Sequence, residues 1–340
     1  MKRVMNKWRH KGYYWLLVLS LILLALISLT IGKYELPFRD VIRLVRSALF
    51  SQLPEDDISA FVLFSIRLPR IIMAILIGSG LAVAGVGMQA VFKNPLVSPR
   101  VLGVSAGASF GVSLGILLFN DPILIQLLAF GGGMVAVLLT YLLGQSNRSN
   151  TVIMLVLAGI IVSAVFTSLL SLLQYNVDVD TELPSIIYWL MGSLSGIKMD
   201  DVKMASFPII LAILLLFLLR WKLNLLTLSD EEAESLGLNV KLERGLVIIA
   251  ATVISAISVS MCGTIGWVGL ITPHLGRMLV GTNHQRLVPV AIIIGGIYLL
   301  LIDNIARLLT SAEIPLSILT ALIGAPVFAL LLKKTGGNWR

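Results

Sequence analysis

Residues 13–31 run without a single charged side chain, and further long apolar stretches follow them to the end of the chain. A helix needs about 20 mostly apolar residues to cross a hydrocarbon core of roughly 30 Å. With no water there to bond the backbone, such stretches must be helices. Composition agrees: 57% of residues are hydrophobic and 13% charged, where soluble domains carry about 25% charged residues. The reading is an all-α polytopic membrane protein of about ten transmembrane helices, near 13–31, 62–92, 96–118, 122–144, 151–173, 204–221, 245–262, 267–281, 288–306 and 315–332.

Lysines and arginines favour the cytoplasmic side of short loops. Lys2, Arg3, Lys7, Arg9 and Lys11 precede the first stretch, and Lys333, Lys334 and Arg340 follow the last. Both termini are therefore expected in the cytoplasm, which requires an even number of crossings. The first stretch is too long for a signal-peptide core and lacks a small-residue cleavage site, so it is read as a retained helix. The net charge of +8 is dispersed over loops, which suits topology and lipid contact and speaks against nucleic acid. The one cysteine, Cys262, excludes an intrachain disulfide.

Chemistry is sparse. No phosphate loop, no H-E-x-x-H and no G-x-S-x-G elbow is present. The histidines, His10, His274 and His284, are scattered, and Asp303 is the one clear intramembrane acid. An ion-coupled carrier usually holds buried carboxylates near the midplane. Energy is therefore expected to enter from another subunit, with no metal site and no resident cofactor on this chain.

Arg70 and Pro99 stand 29 positions apart, as do Arg244 and Pro273, and both copies end in a Leu-aliphatic-hydroxyl-Pro pattern. By the span order one copy starts outside and the other inside, an inverted internal repeat of the kind transporters use. Pro95 and Pro99 cannot donate backbone hydrogen bonds and push the preceding residues out of helix. A broken segment is thus expected between the second and third spans. Irregular backbone at membrane depth is tolerated only beside protein or a water-filled cavity. The small residues around it, among them Gly85, Gly87, Gly103 and Gly107, permit close helix approach. A helix pair lining a pathway is the better reading, with tight packing alone as the plainer one.

The loop after the sixth span carries LSDEEAESLGL at 228–238, between Arg220 and Lys222 before it and Lys241 and Arg244 after it. Ser229 followed three residues later by Glu232 is a capping-box pattern. Asp230 and Glu231 complement the helix dipole, and Gly237 suits a C-cap. A short acidic cytoplasmic helix is expected.

These stretches, with IRLPR at 66–70, GMQAVFKNPLVSPRVLGVSAGASFG at 87–111, GTIGWVGLITPHLGRMLVG at 263–281 and EIPLSILTALIGAPVF at 313–328, resemble the membrane permease of type II ATP-binding-cassette importers, the iron-siderophore, haem and cobalamin permease family. The resemblance covers nearly the whole chain. It implies one permease domain over 1–340, with repeat halves at about 62–173 and 241–332 and a coupling loop at about 222–243. It also implies pairing with a second copy or a close paralogue, and a pathway at their interface in a bacterial or archaeal inner membrane. Two cytoplasmic ATPase subunits, which hold ATP and Mg, and an extracytoplasmic binding protein are the implied partners.

In that frame Asp230, Glu231, Glu232, Glu234 and Leu236, with Ser229 and Gly237 shaping the helix, would contact the ATPase. Arg67, Arg70 and Arg307 would grip carboxylates of the binding protein from an exposed outer surface. Interfacial snorkelling is the plainer alternative, and Arg307 could instead pair with Asp303 four residues before it. Asn94, Pro95, Leu96, Ser98 and Pro99 match the family's cytoplasmic gate, and Thr151 opens the span where a second gate segment is expected. There Ser149-Asn150-Thr151-Val152 departs from a clear Ser-Thr pair. His274 is read as a packing residue at a helix break. Residues 184–195, with Tyr188 and Trp189, are too short to span and should lie as a re-entrant or surface helix at the outer mouth.

The expected mechanism is alternating access of an unspecific conduit, with the cargo chosen by the binding protein. Ferric siderophore leads, with haem, cobalamin and an oxyanion such as molybdate behind it. An ion-coupled secondary transporter is the alternative, and a membrane-embedded enzyme or receptor is weaker.

Overall fold

The computed structural model describes residues 2–50, 57–119, 121–144, 151–310 and 312–335. Among them every regular element is a helix. In chain order these are α1 (Lys2–Thr30), α2 (Phe38–Leu49), α3 (Ile58–Phe61), α4 (Leu68–Val91), α5 (Val104–Leu118), α6 (Pro122–Gly144), α7 (Thr151–Tyr175), α8 (Glu182–Met191), α9 (Met199–Leu218), α10 (Lys222–Leu226), α11 (Asp230–Ser235), α12 (Val240–Cys262), α13 (Val268–Val280), α14 (His284–Leu308) and α15 (Leu316–Thr335).

Each of the ten expected stretches is occupied by a helix, but they are not equal. Seven helical segments have the length and apolarity to cross a membrane. The others are α5 and α15, which are shorter apolar helices, and α13, which has 13 residues. The shortening of α5 and α13 has a local cause. A turn consumes the residues before α5, and non-helical backbone from Gly263 to Trp267 precedes α13. Short helices beside irregular backbone are the elements from which transporter pathways are made.

Burial orders the bundle. In the 18-residue apolar stretch of each, the span built on α3 and α4 has 89% buried and α12 has 78%, whereas α1 has 6%. So α4 and α12 form the centre, and α1, α6, α7 and α9 turn apolar faces outward where lipid replaces protein. Centrality demands close backbones, since neither water nor lipid drives helices together there. A Cβ on Gly85 of α4 would fall on the Gly269 carbonyl of α13, and one on Gly78 would fall on the Gly295 carbonyl of α14.

Pro69 shapes the start of the central helix. Its ring cannot accept the usual helical register of the preceding turn, and residues Val62–Arg67 form a π-helical turn in which the Leu68 N–H bonds the Leu63 carbonyl.

Contacts define two ends. α4 carries Arg70 in its first turn, and Lys93 just past its end bonds Asp230 of α11. α12 starts beside α11, where Arg244 also bonds Asp230, so it runs opposite to α4. The two copies of the 29-residue pattern thus begin at opposite ends. They diverge at their prolines: Pro99 opens a 3-10 turn, Pro99–Leu102, while Pro273 sits inside α13.

The Tyr14 hydroxyl donates to the Arg286 carbonyl at 3.3 Å, and His284 meets Asn224 of α10, so α1 starts at the α11 end. α15 starts at the other end, where Leu316 N–H donates to the Gly192 carbonyl at 2.9 Å. Residues 184–195 contain the end of α8, a helix too short to span, followed by Gly192 at φ +77.

Candidate functional site

The loop between α9 and α12 builds the first feature. Both arms of the capping box are present: Glu232 N–H donates to Ser229 Oγ at 3.2 Å, and Ser229 N–H donates to Glu232 Oε2 at 3.0 Å. These bonds hold the Glu232 carboxyl below the ordinary range. Gly237 ends the helix at φ +82, with its N–H on the Glu234 carbonyl. Ala233 and Leu238 anchor the loop in the core, leaving Glu231, Glu234 and Leu236 exposed.

Asp230 departs from the expectation that it is a free contact. Its carboxylate accepts from Lys93 Nζ at 2.9 Å and, through both oxygens, from Arg244 Nη2 at 2.9 Å. Partial burial works to raise its pKa, but the bonds from Lys93 and Arg244 win and hold the carboxyl below its usual range. The residue therefore fastens α11 to the end of α4 and the start of α12 at once.

The broken segment follows directly from that attachment. Lys93 takes φ +51, an uncommon conformation for a side-chain-bearing residue. Asn94 then closes a turn, its Oδ1 accepting from Leu96 N–H at 2.9 Å. Leu96 is 51% exposed, Asn94 is exposed, Pro95 and Ser98 are half-buried, and Pro99 is buried. Gly103 at φ +81 turns the chain into α5. The structure thus brings Asn94, Pro95, Leu96, Ser98 and Pro99 into one irregular segment beside α11. Thr151 starts α7, but its side chain and Ser149-Asn150 lie outside the described residues.

The arginines at the opposite end require a correction. Arg67, Arg70 and Arg307 are 3%, 4% and 6% exposed, so none presents a free guanidinium. Arg70 donates to Asp303 Oδ1 from Nε at 2.8 Å and to Glu313 Oε1 from Nη1 at 2.8 Å. Arg307 Nε lies 3.3 Å from Asp303 Oδ2, which makes the i to i+4 pair anticipated as the plainer reading. Its Nη2 also donates to Asn304 Oδ1, whose amide donates to Ser28 Oγ on α1 at 2.6 Å.

The physical reason is Asp303, which is fully enclosed: a carboxylate out of water must be paired, and it draws both guanidiniums inward. Arg67 answers another demand, donating to the carbonyls of Leu29 and Tyr34, where α1 ends with unpaired acceptors. Exposed cations at this end include Arg39, Arg43 and Arg46 on α2, with Arg43 3.3 Å from Asp40.

Sequence reasoning missed Lys93, Arg244 and Glu313. Each is an ordinary charged residue in its local context, and only a partner distant in sequence gives it a role. His274 is 4% exposed, with its ring edge-on to Phe328 at 6.3 Å between centroids, as a packing residue should be.

The model of the FecCD transport family matches residues 20–334. The chain is 44% identical to the molybdate import system permease protein MolB of Haemophilus influenzae, over 95% of this chain and 96% of that protein. It is 37% identical to an iron chelatin transport system permease protein of Helicobacter pylori, over 94% and 98%. Among solved structures, one described as an inward-facing conformation of a metal-chelate type ABC transporter superposes with a TM-score of 0.86 at 41% identity. That match covers 95% of this chain and 99% of the other.

Proposed function

The chain belongs to the FecCD transport family, and we propose on that premise that it is the membrane permease subunit of an ATP-driven importer whose cargo is an oxyanion of the molybdate kind. The supporting observation is the attachment of α11. One short acidic helix is bonded to the end of α4 through Lys93 and to the start of α12 through Arg244. A push on α11 is thereby delivered to both helices that lead into broken backbone.

In this reading the α11 end faces the cytoplasm, where an ATPase subunit receives Glu231, Glu234 and Leu236. The segment 94–99 is the gate, and a second copy supplies the other wall of the conduit. A binding protein docks at the opposite end, where the exposed Arg39 and Arg46 can meet carboxylates and Arg43 can exchange its partner Asp40 for one. Transport proceeds by alternating access with no bond made or broken in the cargo.

The similarity to the molybdate permease exceeds that to the iron chelatin permease, 44% against 37%. Ferric chelate is the second reading, favoured by the metal-chelate type transporter that superposes on this chain. Among the described residues no group of three His, Cys, Asp or Glu side chains could hold a bare metal ion, which suits a cargo carried as an anion or a chelate.

The test is reconstitution in proteoliposomes with its ATPase and binding-protein subunits. ATP-dependent uptake of molybdate in preference to a ferric siderophore supports the reading. Uptake of the siderophore alone replaces the cargo, and ATP-independent uptake driven by an ion gradient rejects the importer.

A further inference from the structure

At the α11 end a cavity of about 590 Å³ opens between the end of α4, α10 and the turn joining α13 to α14. Its lining includes Gln89, Lys93, Asn224, Arg277, Asn283 and His284, and among the described residues no carboxylate belongs to it. The charges there do not balance. Lys93 is matched by Asp230, which it shares with Arg244. Arg277 has no acid: its Nη2 donates to the neutral Gln89 Oε1, and its Nη1 is enclosed without an acceptor among the described residues.

A half-buried guanidinium with a neutral partner is a costly arrangement unless an anion completes it. One further feature favours the same sign: the 25-residue helix α14 points its N-terminal end at the cavity through Asn283 and His284.

We infer that this cavity binds a tetrahedral oxyanion, with Arg277 as its principal charge partner. The guanidinium supplies a positive charge that no acid in the lining offsets, and the amides of Asn224 and Gln89 line the wall beside it. The cavity borders Lys93, Asn94 and Pro95, so occupancy stabilises the broken segment in the arrangement described. The source of the anion is either cargo leaving the conduit or free phosphate of the cytoplasm. The inference stands whichever cargo the permease carries.

The experiment is equilibrium dialysis of the purified full-length permease in nanodiscs against molybdate and, separately, inorganic phosphate. Saturable binding of about one anion per chain is expected, weakened about tenfold or more in Arg277→Gln, the equivalent of one lost charge-assisted pair. Arg277→Lys should keep part of the affinity. Asn283→Asp is the second variant, because a carboxylate there can still cap α14 as Asn283 does for Gln285 N–H at 2.9 Å. It should abolish binding by placing a carboxylate in the lining near Arg277.

Tighter binding of molybdate identifies the anion as cargo, and phosphate binding equally well or better identifies it as a cytoplasmic anion; both support the site. No saturable binding of either anion overturns it, and so does unchanged affinity in both Arg277→Gln and Asn283→Asp. A chain that binds neither anion, while Arg277→Gln fails only to join the ATPase, would also overturn it and assign Arg277 to a partner carboxylate.

Discussion

Asp230 holds α11 to the bundle, because its bonds to Lys93 and Arg244 leave its own helix. Its i to i+3 neighbourhood was legible: a serine, three acids and a glycine at helical spacing specify a capped turn without any tertiary information. Its partners were not, since Lys93 lies 137 positions away and nothing in FKNP marks that lysine as special. Asp230→Asn should keep α11 helical but leave the buried Arg244 without a charge partner, lowering ATP-driven uptake roughly tenfold. Uptake in proteoliposomes checks it, with ATPase co-purification unchanged. The pH dependence has a definite sign. A carboxyl held below its ordinary pKa stabilises the fold fully above that ordinary value, about 3.9 for aspartate, and loses this contribution as pH falls through the lowered one. Protection factors of the α11 amides, corrected for intrinsic exchange, should therefore stay flat from pH 8 to 5 and fall only below about 4. Asp303 is the counterpart at the other end. Asp303→Asn leaves Arg307 without an acid and Arg70 with Glu313 alone, and should cost about 3–5 kcal/mol in thermal or denaturant unfolding in detergent. An unaltered transition would mean that the network holds nothing together.

Helices were easier to read than their breaks. Apolar runs at bilayer length leave the chain no alternative, so every expected stretch is helical. Proline marked the break before α5, because its missing donor is visible in the letters. Pro273 misled for the same reason: it is tolerated within α13, and the break falls earlier, at Gly263 and at Trp267 with φ +66. Tertiary packing decided that case, since α13 must bring Gly269 against Gly85. The seam is testable. Gly85→Val places a methyl-bearing carbon on backbone that cannot withdraw, a cost of about 1–3 kcal/mol or more by overpacking. Gly131→Val is the control, because nothing lies within 4 Å of a Cβ there. Yield and thermal stability in detergent should fall for the first and hold for the second; equal behaviour would show the α4–α13 contact to be loose.

The whole molecule has a polarity that its two ends express differently. At one end buried arginines and acids tie α1, α4, α14 and the loop before α15 into a rigid knot. At the other, α11 touches the bundle through Asp230, Ala233 and Leu238 and leaves an acidic face free. A bundle tied firmly at one end and held by a lever at the other moves most where the lever is attached, around Lys93 and the segment 94–99. The arginines of the knot could not be placed from sequence because an exposed docking arginine and a buried structural one share the same letters. What separates them is Asp303 and Glu313, brought from the far end of the chain. The lever can be tested without touching the knot. Glu231→Lys with Glu234→Lys reverses the free face but spares the Ser229–Glu232 cap and the Asp230 bridges, so the bundle should fold and unfold as before. The chain should then lose its ATPase subunit in pull-down, with uptake falling about a hundredfold as two charge-assisted contacts become repulsive. Ser229→Ala is the converse, weakening the helix by about 1 kcal/mol while keeping its charges, and should retain the ATPase with reduced uptake. If the double reversal left ATPase binding and uptake intact, α11 would not be the contact through which the motion enters.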